Sequence, residues 1–283
     1  MAFAKLLIRI IPPQLVYYLL GFLRAAPKPM NPRPEEQEIL DGAEKFTYGG
    51  AGDKVAWTWG DGPLVIFIHG WAGCGGQLAP LADAAAKAGF QVVVFDLGAH
   101  GISAGKRVGF NSIMADIVGI SNGLGKPVYA YVGHSAGGLC AMAARRAGLI
   151  SAEQFICINA PFYPYPGTQS FKKLLDAPER VMVQSRRFFA KQFDTPWDEL
   201  KAGHAYKKSE TQAKQPLSGL LLMYDEGDKI VDHRNGEKIQ KLWSGSKLVK
   251  SKGLGHNRIL ADKTTQDKAV KFLVNARAEQ SPA

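Results

Sequence analysis

Three side chains could together make an activated nucleophile. Ser135 lies in Gly133-His134-Ser135-Ala136-Gly137, between the apolar run VYAYV and the helix-prone run LCAMAARRAG. This G-x-S-x-G spacing, in strand–turn–helix context, places a serine on a sharp turn whose strained backbone needs small neighbours. The turn pushes the Ser135 hydroxyl outward. It also aims the amide of Ala136, at the start of a helix, toward developing negative charge. A serine alone is a poor nucleophile and needs an imidazole, itself oriented by a carboxylate. Asp228 follows the strand-like run SGLLLMYDE, and His256 sits in the glycine-flanked loop of SKLVKSKGLGHNRIL. Each of the three stands at the carboxyl end of a predicted strand. Asp225 and Asp232 follow the same strand as Asp228, and Asp225 could instead cap its turn. His233 is the rival base, and His204, among lysines, reads as solvated.

Two further apolar runs end in loops of suitable chemistry. PLVIFIHGWAG ends in His69-Gly70-Trp71, where the Trp71 amide could be a second oxyanion donor beside that of Ala136. QVVVFDLGAHGISAG ends at Asp96, with His100 and Ser103 beyond it. Together these segments closely resemble the α/β-hydrolase superfamily, over roughly residues 40 to 275. HGWAGCGGQL, FDLGAHGISAG, GHSAGG, YDEGDKIV and GLGHNRIL resemble a bacterial group of serine hydrolases whose substrates are poorly defined. The resemblance implies Ser135 as nucleophile, His256 as base and Asp228, just before Ile230-Val231, as the acid. It implies that His69 and His100 hold their loops. HGWAG replaces the HGGG-type loop of some esterases, and the bulk of Trp71 disfavours esters of crowded tertiary alcohols. Competing motifs fail: Gly123–Pro127 lacks P-loop spacing, and Gly73–Leu78 lacks the third glycine of a dinucleotide fingerprint.

The elements must deliver these loops to one edge. EKFTYGG and KVAWTWGD alternate and predict an opening antiparallel hairpin. PLVIFIHG, QVVVFDL, PVYAYVG, EQFICIN, GLLLMYDE and SKLVKSK are nearly continuous apolar strands. Helical stretches alternate with them near 78–88, 112–119, 138–147, 235–242 and 263–277. The expected fold is α/β: an α/β-hydrolase fold with a mostly parallel eight-stranded sheet, helices on both faces and a small helical cap. Ligands of such sheets bind at the strands' carboxyl ends. The expected organisation is a basic, apolar N-terminal helical segment and linker (1–34), a hydrolase core (35–160 and 217–283) and a cap insertion (161–216). Phe162, Tyr163, Tyr165, Phe188, Phe189, Phe193 and Trp197 could line an apolar pocket or glue the cap to the body.

Composition bounds the rest. The 283 residues, 46% hydrophobic, suit one large domain with an insertion. Cys74, Cys140 and Cys157 are odd in number and lack C-x-x-C spacing, which disfavours a disulfide framework or zinc site and fits a reducing, cytoplasmic compartment. The net charge is +10, and Lys5, Arg9, Arg24, Lys28 and Arg33 all precede the first acid, Glu35. No nucleic-acid-binding motif accompanies this charge. The charge suits an anionic membrane surface, met through residues 1–30 at the inner face of the membrane, or an anionic substrate. The alternative is that this segment packs on the body. Neither apolar half of it, broken by Pro12-Pro13, is long enough to span a bilayer. The expected activity is hydrolysis of a small-molecule carboxylic ester or thioester through an acyl-enzyme, with no cofactor or metal. The alternatives are an acyltransferase on the same groups and a non-catalytic, membrane-associated binding protein.

Overall fold

Strands that are apolar at every position need a sheet covered on both faces. A computed structural model of the chain describes residues 6, 8–16, 28, 30–208 and 218–278. It contains an eight-stranded sheet with the order β1-β2-β4-β3-β5-β6-β7-β8. The strands are β1 Glu44–Tyr48, β2 Lys54–Trp59, β3 Leu64–Ile68, β4 Gln91–Phe95, β5 Val128–His134, β6 Gln154–Ile158, β7 Gly219–Asp225 and β8 Lys247–Ser251. β1 pairs antiparallel with β2, and β2 antiparallel with β4; every other pairing is parallel. The expected hairpin and mostly parallel sheet are therefore both present.

Alternation along the strands divides the core in two. Ile66, Val93, Tyr131, Phe155 and Leu222 enter one cluster, while Val65, Val94, Val132, Ile156 and Met223 enter the other. The helices are α1 Pro34–Asp41, α2 Ala79–Lys87, α3 Phe110–Gly123, α4 Ala136–Arg146, α5 Tyr165–Leu175, α6 Glu179–Gln192, α7 Trp197–Lys201, α8 Arg234–Leu242, α9 Gly255–Arg258 and α10 Lys263–Ala278. α3, α4 and α8 bury Ile117, Leu139 and Ile239 on the first face. α1, α2 and α10 bury Leu40, Leu81 and Leu273 on the second.

α1 was not expected from the sequence, where residues to 34 read as extended linker. Pro34 occupies the first helical turn, where its missing N–H costs nothing, and Glu36 accepts from the Arg33 amide at 2.8 Å. α5, α6 and α7 fill the long connection from β6 to β7. α5 ends on Asp176 in the left-handed conformation (φ 50°), and Pro178 precedes α6.

Residues 8–16 of the N-terminal segment pack on this inserted region. Ile8 and Val16 are buried with Ala177, Val181 and Met182. Arg9 pairs with Asp176 at 2.6 Å, and Arg180 donates to the carbonyls of Ile11 (3.1 Å) and Arg9. Ile10 and Leu15 remain exposed. Residues 1–5, 7, 17–27 and 29, which carry much of the expected membrane-facing segment, lie outside the described residues. Among the described residues no helix is long and apolar enough to cross a membrane.

Candidate functional site

β5 ends at His134 and α4 begins at Ala136, so Ser135 alone makes the turn between them. It does so at φ 50°, ψ −120°, a conformation costing roughly 1–3 kcal/mol that the surroundings must enforce. The elbow's glycines serve close approach. A Cβ on Gly133 would lie 2.4 Å from the Gly138 Cα, and one on Gly137 would lie 2.5 Å from the His69 carbonyl oxygen.

The structure brings Ser135, His256 and Asp228 together in a line. His256 Nε2 lies 3.0 Å from Ser135 Oγ, and its Nδ1 lies 2.6 Å from Asp228 Oδ2. Asp228 is acceptor-only, so Nδ1 carries the proton and Nε2 is free to accept from the hydroxyl. The second Asp228 oxygen accepts from the amides of Ile230 (2.7 Å) and Val231 (3.0 Å). The Asp228 side chain is fully buried and that of His256 nearly so. A hydroxyl, imidazole and carboxylate so arranged can make an alkoxide-like nucleophile without a free charge in water.

The rival groups take other places. Asp225 accepts from Gly227 N (2.8 Å), Ser251 Oγ (2.8 Å), Leu254 N (3.0 Å) and Gly255 N (2.8 Å), tying the end of β7 to the loop that presents His256. Despite opposing burial, those donors hold its carboxyl below the usual range. Asp232 pairs with Arg234, which, with the hydrogen bonds it brings, lowers its carboxyl to about 2. His233 lies 3.8 Å from Asp232. His204 is half-buried beside Glu199, not solvated as expected.

Two buried histidines brace the loop after β3. His69 Nε2 accepts from the Leu97 amide (3.0 Å), so its Nδ1 donates to the Gly70 carbonyl (2.8 Å). Burial drives its pKa down to about 3. His100 Nε2 accepts from the Ala72 amide (3.2 Å), and its Nδ1 donates to the Gly98 carbonyl (3.0 Å). The resemblance implied this holding role. The loop crosses the elbow closely: a Cβ on Gly70 would lie 2.9 Å from the Ser135 Cβ. This sets Trp71 beside Ser135 and Ala136 at the mouth of one cavity.

That cavity is about 530 Å³, and its walls include Phe110, Phe189, Ile230 and Met30. Of the aromatics expected from the inserted segment, Phe189 lines it. Phe162 instead stacks on Tyr206, Phe193 packs on Phe110 and Phe188 joins the cluster beneath the N-terminal segment. Cys74, in the loop below, is buried, and its thiol pKa is pushed up to about 11, chiefly by that burial.

Asn159 was missed in the sequence. It ends β6 at φ 47°, donates to the Gly255 and His256 carbonyls (both 3.2 Å) and accepts from the Asp225 amide (3.1 Å). Its only sequence signal is an Asn after an apolar strand, a residue type tolerant of the left-handed region. His134 was seen only as a neighbour. Its Nε2 donates to the His256 carbonyl at 2.9 Å, and burial, reinforced by the nearby His256, lowers its pKa to about 3.

A family model described as the alpha/beta hydrolase family matches residues 65–264, more than half of the chain. The chain belongs to this family. The matched region of this alpha/beta hydrolase holds Ser135, Asp228, His256 and the Trp71 loop. No curated protein matches it by sequence. Among solved structures it is similar to an esterase from Pyrococcus furiosus (18% identity, TM-score 0.62, covering 88% of this chain and 98% of that one). It is also similar to a monoacylglycerol lipase from Paleococcus ferrophilus (18% identity, TM-score 0.58, covering 79% and 99%). A thioesterase domain from the curacin biosynthetic pathway is a third (16% identity, TM-score 0.55, covering 82% and 99%). At such identities the likeness is one of fold.

Proposed function

We propose that this alpha/beta hydrolase cleaves a carboxylic ester or thioester through an acyl-enzyme on Ser135. The observation that carries the reading is the Ser135–His256–Asp228 line, opening into an apolar cavity. Solved structures of similar fold named as an esterase, a lipase and a thioesterase support it at the level of fold.

His256 Nε2 takes the hydroxyl proton as Ser135 Oγ attacks the acyl carbon. Asp228 holds the tautomer and stabilises the imidazolium that forms. The amides of Ala136 and Trp71 receive the oxyanion, each donor worth about 3 kcal/mol in the transition state. His256 then protonates the leaving alcohol or thiol. Water enters, gives its proton to His256, and releases the acid through the same groups. Residues 161–216 act as a cap, with Phe189, Pro164 and Pro166 among the parts facing the acyl group.

The test is labelling by a fluorophosphonate probe. Wild type should label and Ser135→Ala should not. A folded wild type that stays unlabelled, alone and with neutral ester substrate present, rejects the reading.

A further inference from the structure

Ile230 has two neighbours of opposite character. It walls the apolar cavity beside Ser135, and it also walls a depression of about 460 Å³ on the other side of the Asp228 loop. With its side chain half-exposed, it is a low ridge between the two. The second depression runs on into a third, of about 300 Å³, through shared walls at Tyr163, Tyr165 and Gln169. Together they form a groove under α5 and α7, within the range of small-molecule sites.

Its charge is one-sided. Lys229 and Lys238 line one end, and Lys172 and Lys201 the other. Among the described residues none of these four lysines has a carboxylate partner. The groove's acids are largely occupied. Asp228 is hydrogen-bonded to His256 and to two amides, and Asp232 is paired with Arg234. That leaves Asp198 against four ammonium groups. Arg186, also in the wall, is matched by Glu179. Tyr163 and Trp197, edge to face at 5.8 Å, add an aromatic surface. Lysines held apart around a concave surface attract a ligand with several negative charges.

We propose that the groove receives the phosphate groups of the substrate's leaving half. The preferred substrate is then an ester or thioester that joins an apolar acyl group to a phosphorylated alcohol or thiol. The acyl chain lies in the apolar cavity, and the carrier crosses Ile230 into the groove. This deepens the reading of Ser135 as nucleophile and rests on it. In the step itself the Ser135 Oγ–carbon bond forms and the carbon–sulfur or carbon–oxygen bond breaks. The leaving atom takes the proton held by His256, and the phosphates stay intact.

The experiment compares two thioesters of one acyl chain, on coenzyme A and on uncharged N-acetylcysteamine, in wild type and in the Lys201→Glu/Lys238→Glu variant. The coenzyme A thioester should show a KM about tenfold lower in wild type, an advantage that shrinks with added salt. The variant should lose that advantage while keeping its kcat on the uncharged thioester, which also reports that it is folded. Equal KM values for the two thioesters in wild type overturn the proposal. So does an advantage that the variant retains, or one that comes only with anionic phospholipid vesicles. Calorimetry of coenzyme A itself on Ser135→Ala reads the groove without turnover. Binding that the two lysine substitutions abolish supports it, and no binding overturns it. Wild type that cleaves neither thioester while this binding is intact would instead count against the nucleophile.

Discussion

At the scale of the residue, Ser135 trades stability for position. Its left-handed φ of 50° suits glycine, and no side chain there relieves the strain. Ser135→Gly should therefore be more stable than Ser135→Ala by about 1 kcal/mol, read from urea midpoints, with both unlabelled by the probe. Equal midpoints would mean that the turn is not strained. The three aspartates after β7 separate by their partners. Asp228→Asn leaves the imidazole without its orienting acceptor and should lower kcat roughly 10³- to 10⁴-fold while the fold survives. Asp232→Asn, which removes only a surface pair with Arg234, should change kcat less than about twofold. Comparable losses in the two variants would reassign the acid. The sequence offered all three, and only the direction of each carboxylate separates them. Ser135 and His256 were legible as candidates because a nucleophile turn and a glycine-flanked loop are local patterns. Asn159 was not, because its hydrogen bonds join the ends of β6 and β7 to a loop nearly a hundred residues away.

At the scale of the element, the site is a set of loop ends tied together by buried hydrogen-bonding side chains. Asn159 and His134 hold the His256 carbonyl, and Asp225 holds the amides of Leu254 and Gly255 just before it. Asp225→Asn keeps the shape but trades two acceptor oxygens for one, and should loosen that loop. The expected result is a fall in kcat with KM little changed, together with faster amide exchange at Leu254 and Gly255. His69 and His134 impose a pH dependence on the fold. Both are held neutral, with pKa values near 3 against 6.5 in the open chain. As pH falls below the open-chain value, the unfolded chain takes up protons that the folded one refuses, so stability declines. The urea midpoint should be lower at about pH 5 than at about pH 7.5, where both states are neutral, and His134→Gln should lessen the drop. A midpoint that is flat between those values would contradict the buried, neutral assignment. The strands were legible as continuous apolar runs. α1 was not, because its pattern is short and follows a proline-rich stretch whose composition argues for extended chain.

At the scale of the molecule, the inserted helices and the chain's beginning stabilise one another. The cluster of Ile8, Val16, Val181 and Met182 stands apart from the two cores that cover the sheet. Val181→Ser should lower overall stability modestly, by about 1–3 kcal/mol, because it removes buried area from a small satellite cluster. Limited proteolysis should cut the variant first near α6, with the sheet domain persisting; cutting spread evenly over the chain would mean that the cluster belongs to the main core. Composition left two fates open for the N-terminal segment because an apolar, basic stripe suits a protein surface and a lipid surface alike. Contact with α6 settles the fate of residues 8–16 and of no others.

The Arg9–Asp176 contact joins positions 167 residues apart in the chain. During synthesis residues 8–16 leave the ribosome long before their docking surface exists. They must wait, apolar side chains uncovered, while four of the parallel strands are made. Residues 8–16 therefore stay undocked until α6 has been made, open meanwhile to anything that binds nascent apolar segments.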